Sequence, residues 1–350
     1  MLFVVPDAAA PISGGTRYDR ELLAALARLG VAFIALDPAR ARSLESGRFD
    51  FHWVDSLYLD RFGELAGRLE PIGLIVHYLP SLLRHGDELR LGDLTPAETN
   101  ALRRADAFLV PSPYMKRTLE RLLGELQLPT SAILVVEPGC EIRPAASAPP
   151  VDAARALVIA NLVENKGILE LLEALGRHLT PDDPFELRIA GGATSEPDYA
   201  RKCRLSAKRL GRPVVFEGEL TPELVERRLH ESNLFLSASK MESYGMALGE
   251  AKAAGIPILA CEGGNARAHV TAGALVGSVD ELAKRAIELC RHPAELGALV
   301  ERARRLAFES PHRSWEDAAR ELVSGARALG RARSTGERAR AERMHKPSSE

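Results

Sequence analysis

The sequence predicts an α/β protein of two similar parallel-sheet domains facing each other across a cleft. Three observations lead there. Short β-like runs alternate with helical patterns almost from end to end, as expected of βαβ units. One Pro/Ala-rich stretch, residues 143–150, breaks the alternation near the middle of the 350-residue chain and reads as an interdomain linker. After it the alternation resumes, and at 233–260 it forms a strand–loop–helix–strand unit whose glycine turn lies between Glu242 and Glu250.

In the first half the strand candidates are 2–5, 31–36, 74–77, 107–111 and 133–136, short runs rich in β-branched and apolar residues. Tyr18 to Leu29 reads as an amphipathic helix, with Leu22, Leu23, Leu26 and Leu29 on one stripe. The second set of strands is 157–160, 185–190, 214–217, 234–237 and 256–260. This gives domains at 1–145 and 151–312. From 331 to 350 six Lys/Arg stand against three Glu with no core-forming residue but Met344, so a disordered tail is expected.

A net charge of −2 and a pI near 6.5 argue against a nucleic-acid or anionic-membrane partner. Cys140, Cys203, Cys261 and Cys290 are far apart, with no Cys-x-x-Cys and no His at ligand spacing, so reduced thiols and no metal site are expected. The apolar start Met1–Pro6 is too short for a secretory leader, and no run approaches the roughly 20 residues needed to span a bilayer. The expected location is the cytoplasm, with at most peripheral contact at the inner face of the membrane.

Four stations carry chemistry. Between the first strand and first helix, Pro11-Ile12-Ser13-Gly14-Gly15-Thr16 is either an ordinary turn or a loop whose backbone N–H groups meet a ligand. It is not a Gly-x-Gly-x-x-Gly fingerprint, which weighs against a nicotinamide site. Asn161-Leu162-Val163-Glu164-Asn165-Lys166-Gly167 follows the first strand of the second half; Lys166 is either a surface lysine or a point charge for a diphosphate. The third station is Glu242, before a helix, and Glu250, inside it, with the amides of Gly245, Met246 and Ala247 at the helix start. On one continuous helix the two acids would stand about 80° apart, so they do not read as an acid/base pair flanking one bond. His77, at a strand end, is either structural or a sugar contact.

Together these stations resemble the GT-B glycosyltransferases, and within them the GT4-like (group 1) retaining family. Gly14-Gly15 looks like that family's N-terminal glycine loop. Ala105 to Ser112 with Lys116 resembles its Asp-Ala segment, and Glu137-Pro138-Gly139-Cys140-Glu141 its Pro-x-Gly turn. Glu242 and Glu250 match its E-x7-E motif, and Ser314-Trp315-Glu316 the start of its closing helix. The resemblance implies two Rossmann-like domains, with a C-terminal helix at 313–330 crossing back to the first. It also implies that Glu250 binds the ribose, Glu242 and the following amides the donor sugar and phosphates, and Lys166 the diphosphate, with His77 near the transferred sugar. Donor binding would draw on Gly14, Gly15, Asn161, Lys166, Gly245, Met246, Ala247 and Glu250; catalysis on Glu242, His77 and Lys166. Two departures stand out. Asn161 occupies a position where the family usually carries Arg, and Gly263-Gly264 is followed by Asn265-Ala266-Arg267 without the usual acid.

The function this implies is metal-free transfer, with retention, from a nucleoside diphosphate sugar to a hydroxyl on a glycan, lipid-linked or small-molecule acceptor. No cofactor is expected, and no Asp-x-Asp occurs in the chain. The rival readings are a sugar-nucleotide epimerase, a phosphorylase, and a non-catalytic GT-B module that binds a nucleotide or a partner.

Overall fold

The computed structural model describes residues 1–344 except 8–9, 11, 42, 44–48, 50, 131 and 212–213, with side chains considered up to 331. Pro11 of the glycine loop and residues 345–350 of the expected tail therefore lie outside the described residues. The first six strands are β1 (Leu2–Val4), β2 (Ile34–Leu36), β3 (His52–Asp55), β4 (Ile72–Ile75), β5 (Ala107–Val110) and β6 (Ile133–Val135). They form a parallel sheet in the order β2-β1-β3-β4-β5-β6. The second six are β7 (Ala154–Ile159), β8 (Phe185–Ala190), β9 (Val214–Gly218), β10 (Leu234–Ser237), β11 (Ile258–Cys261) and β12 (Gly273–Val276). Their order is β12-β11-β10-β7-β8-β9, again all parallel.

Both sheets are covered on both faces, and the strand period of two explains how. Leu2, Val4, Val54, Leu74 and Phe108 enter one core, while Phe3, Trp53, Ile75, Ala107 and Leu109 enter the other. In the second sheet Ala156, Val158, Leu234 and Leu236 face one side, and Leu157, Phe235 and Ile258 the opposite one. Strand order reverses between β1 and β3 in the first sheet and between β7 and β10 in the second. In doubly wound sheets such a reversal opens a crevice at the carboxyl ends of the strands, where ligands bind.

The chain returns to its first lobe at Trp315, buried in the first sheet's core and edge-on to Tyr18 at 5.6 Å between ring centroids. The crossing is held through backbone carbonyls. Cys140 N–H donates to the Arg313 carbonyl at 2.9 Å, and the Arg313 guanidinium donates to the Glu137 carbonyl at 3.0 Å. Gly139 makes this possible, because a Cβ there would lie 2.2 Å from the backbone nitrogen of Trp315. The linker is fastened too: Arg304 donates to the carbonyls of Ala145 at 2.7 Å and Ser147 at 3.2 Å.

The structure departs from the sequence expectation in several elements. β3 and β12 were not predicted, and β4 begins and ends two residues earlier than the expected 74–77. The first helix starts at Gly14 rather than Tyr18, because Ser13 caps it and forms a capping box with Thr16. The closing helix, Trp315–Met344, runs through the stretch expected to be irregular from 331. Its Ala, Arg and Glu are strong helix formers, so local propensity carries the helix on without an apolar stripe.

Candidate active site

The site begins at the carboxyl edge of β7 and β10. After β7 the chain makes a short turn, Glu164–Lys166, closed by Gly167 at φ +62°. A Cβ at 167 would lie 2.3 Å from the Ala238 carbonyl oxygen, so the glycine lets this loop touch the loop after β10. Lys240 N–H then donates to the Asn165 carbonyl at 2.9 Å. The outcome is an ion pair: Lys166 Nζ stands 2.5 Å from Glu242 Oε1, both partly buried.

Glu242 is fixed by its backbone as well. It bridges to Gly264 in parallel register, and its carbonyl accepts from Asn265 N–H at 2.7 Å. Gly264 lies at φ +59°, and a side chain there would strike the Glu242 carbonyl oxygen at 2.2 Å. The Gly263-Gly264 pair thus seats an acid of the site by close backbone approach.

The helix Met246–Ala254 starts from Gly245 at φ +89° with no side-chain cap. Its first-turn N–H groups and the positive end of its dipole are therefore available to an anion. The loop before it is pinned at the Tyr244 carbonyl, which accepts from Asn265 Nδ2 at 2.8 Å and His269 Nε2 at 2.7 Å. Burial pushes the His269 imidazole down to about 4, so it serves here as a neutral donor. Sequence reasoning missed His269 and gave Asn265 no role; a lone His in a loop carries no local signal.

Glu250 lies one turn inside the helix and is buried. Its Oε1 meets Arg17 Nη1 from the opposite lobe at 2.6 Å, while Oε2 has no hydrogen-bond partner among the described residues. Burial raises the carboxyl above its ordinary value, and Arg17 opposes that rise. The two glutamates of the E-x7-E motif thus take different cations from different lobes.

On the facing lobe, His77 lies two residues beyond β4 and is buried rather than open to the cleft. Its Nε2 and Asp19 Oδ1 are 2.9 Å apart, and its ring is edge-on to Tyr18 at 5.0 Å. Gly15 lies against the same ring, since a Cβ there would be 3.1 Å from its Cγ and Cδ2. Asp55, at the end of β3, completes a cluster whose donor atoms all lie within 4.8 Å of one another. Burial works against an imidazolium at His77, but Asp19 and then Asp55 outweigh it and raise its pKa to about 9. Burial, opposed by His77 and reinforced by Asp19, raises Asp55 to about 7. Asp19 Oδ2 and Asp55 Oδ2 have no donor among the described residues. Three such ligand atoms could hold a cation, but a proton carried by Asp55 toward Asp19 satisfies the same oxygens and accounts for the raised Asp55.

The two halves of the site meet directly. Asn161 Nδ2 donates to the Ile12 carbonyl of the glycine loop at 2.7 Å, while its Oδ1 accepts from Gly192 N–H at 2.9 Å. Ser112 Oγ donates to the Ser243 carbonyl, and Met241 packs into the core of the first lobe. Lys166, Glu242, Gly245, Met246, Ala247 and Glu250 therefore gather around one helix start. Asn161 flanks them, and Gly14, Gly15 and His77 belong to the lobe opposite. Asn161 also ties the two lobes together, and Arg267, which follows the Gly263-Gly264 pair, is exposed and ion-paired with Glu262.

Two facing doubly wound sheets, with the candidate site at the switch point of the second, make the GT-B fold. Residues 141–306 match the family described as "Glycosyl transferases group 1". In fold it is similar to sucrose-phosphate synthase from Thermosynechococcus elongatus, at 19% identity and TM-score 0.74, over 95% of this chain and 98% of that one. It is also similar to Anabaena HepE in complex with UDP and glucose, at 15% identity and TM-score 0.68, over 93% and 99% of the two chains. A glycosyltransferase from Rickettsia africae matches at 17% identity and TM-score 0.64, over 94% and 97%. No curated protein matches the chain by sequence.

Proposed function

We propose that this protein is a glycosyltransferase that uses a nucleoside diphosphate sugar, retains the anomeric configuration and needs no metal. The observation that carries the reading is the Lys166–Glu242 pair at the uncapped start of the helix Met246–Ala254. In this reading Lys166 and the amides of Gly245, Met246 and Ala247 hold the diphosphate and stabilise the charge that develops as it leaves. Glu242 accepts hydrogen bonds from donor-sugar hydroxyls, Glu250 from the ribose, and the Gly14-Gly15 loop with His77 closes over the sugar. Asn161 flanks the diphosphate as a neutral neighbour. The bond from the anomeric carbon to the phosphate oxygen breaks and that to the acceptor oxygen forms on the same face. The acceptor proton passes to the departing phosphate, so no protein base is required.

The acceptor hydroxyl belongs to a glycan, a lipid-linked sugar or a small molecule, met by the loops at 80–98. A fold-level neighbour solved with UDP-glucose supports the donor class. Among the described residues no helix is long and apolar enough to cross a membrane, and the four cysteines are free. Both fit a cytoplasmic enzyme with at most peripheral membrane contact. The test is a thermal-shift screen of nucleoside diphosphate sugars, then hydrolysis of the best binder with and without a chelator. Turnover with a retained anomer, unaffected by chelation, is expected. Binding with no turnover in excess enzyme would favour a non-catalytic module, and product without acceptor an epimerase.

A further inference from the structure

Arg17 was assigned no role by the sequence reading, yet it is the cation that reaches the inner glutamate of the site. It stands on the first turn of the helix Gly14–Arg28, in the lobe opposite Glu250. Its guanidinium takes one carboxylate oxygen of Glu250 at 2.6 Å and leaves the other buried and without a donor among the described residues. A buried carboxylate oxygen in that condition is costly unless something donates to it. Arg17 and the Ile12 carbonyl, tied to Asn161, bracket the glycine pair, so closing the lobes delivers both contacts together.

We propose that Arg17 completes the nucleotide site in trans, holding Glu250 ionised and oriented so that its free Oε2 accepts a ribose hydroxyl. Arg17 is then a positioning residue, and the ribose site is fully formed only when the lobes are closed. This rests on the nucleotide-donor reading above. The groups facing Glu250 are few. Glu21 from the helix of Arg17 disfavours its charge, and among the described residues Arg17 is the only cation there; Cys140 and Tyr244 lie close enough for its charge to oppose their ionisation. Without Arg17, burial and Glu21 are left unopposed, and Glu250 takes a proton more readily.

The experiment titrates UDP, GDP and ADP into the full chain by calorimetry, taking the tightest as probe, across pH 6 to 8.5. The wild-type profile is the reference, because the terminal phosphate of the probe itself titrates in this range. For Arg17→Met the affinity relative to wild type should fall at least tenfold at pH 6, and the loss should be smaller at higher pH, which favours the charged Glu250. Arg17→Lys should restore most of the affinity and the wild-type profile. In the Glu250→Gln background, Arg17→Met should cost nothing further. A 2′,3′-dideoxy form of the probe should be indifferent to Arg17. If no nucleotide binds the wild type, the donor reading itself fails. If the probe binds but Arg17→Met changes neither affinity nor pH profile, the role of Arg17 is wrong. Equal weakening of the dideoxy probe would also overturn it, because Arg17 would then act on the phosphates or on closure alone.

Discussion

Gly15 and His77 are pressed together across the mouth of the first lobe, where a Cβ on residue 15 would sit 3.1 Å from the imidazole ring. The second glycine of the loop is thus explained by a side chain it must accommodate. Gly15→Ala gains helix propensity but must shift a ring whose Nε2 is held by Asp19 at 2.9 Å. The expected outcome is a melting temperature within a few degrees of wild type and turnover reduced about tenfold, since small displacements of positioned groups are costly. Undiminished turnover would show that the position of His77 is immaterial.

The cluster of Asp19, Asp55 and His77 makes stability depend on pH with a definite sign. Asp55 rises from 3.8 to about 7 and His77 from 6.5 to about 9, so each binds its proton more tightly folded than unfolded. Stabilisation is therefore complete below the unfolded values and is lost as pH rises through the folded ones. Denaturant midpoints should decline from about pH 5 to pH 9. In Asp55→Asn the decline between 4 and 7 should shrink, while the part due to His77 should remain but end at lower pH, because Asp55 helps to raise that imidazole. Parallel wild-type and variant curves would refute the coupling.

How much of this was legible follows from where the signals lie. β1, β5, β7 and β10 were readable because their runs are apolar and continuous. β3 was not, because His52 and Asp55 interrupt it, although both are fully buried. Glu242 and Glu250 could be read from sequence because the glycine turn between them is local. Arg17, Asp19 and Asp55 could not, because each is defined by a partner far away in the chain; the Asp19–His77 contact spans 58 residues. Even Asn161, singled out as a departure, owes its role to a carbonyl 149 residues away.

The crossing at Gly139 should be intolerant of any side chain. A methyl group there would meet the Trp315 backbone nitrogen at 2.2 Å, and backbone cannot yield as a side chain can. Gly139→Ala should lose about 2 kcal/mol or more in urea unfolding, within the range for overpacking. Only Trp53 and Trp315 report by fluorescence, both buried, so the Trp315 side can be isolated in a Trp53→Phe background. An unchanged midpoint would mean that the crossing has another route.

Lys166 and Glu242 should behave as one unit. Their 2.5 Å pair sits where the leaving diphosphate and the donor sugar are proposed to meet. Glu242→Gln and Lys166→Met are each expected to lower turnover by about 10²-fold with little change in melting temperature. The double variant should be scarcely slower than either single one, because residues in contact are not additive. Multiplicative losses in a full cycle of kcat values would separate their roles.

Asn161 offers the most direct gain-of-function test. It donates to the Ile12 carbonyl at 2.7 Å and accepts from Gly192 N–H at 2.9 Å, in the loop that presents Lys166. An arginine there could keep the first bond, since a guanidinium has donors to spare, but would lose the second because it has no acceptor. In exchange it would place a second fixed cation beside Lys166, where the proposed diphosphate lies. Asn161→Arg should therefore tighten nucleoside diphosphate binding about tenfold, equivalent to about 1.4 kcal/mol. The gain should shrink at high salt, because it is a charge effect. A lost Gly192 partner should cost about 1 kcal/mol of stability. Calorimetry at two ionic strengths separates these outcomes, and affinity that is unchanged or weaker at low salt would place the diphosphate away from residue 161.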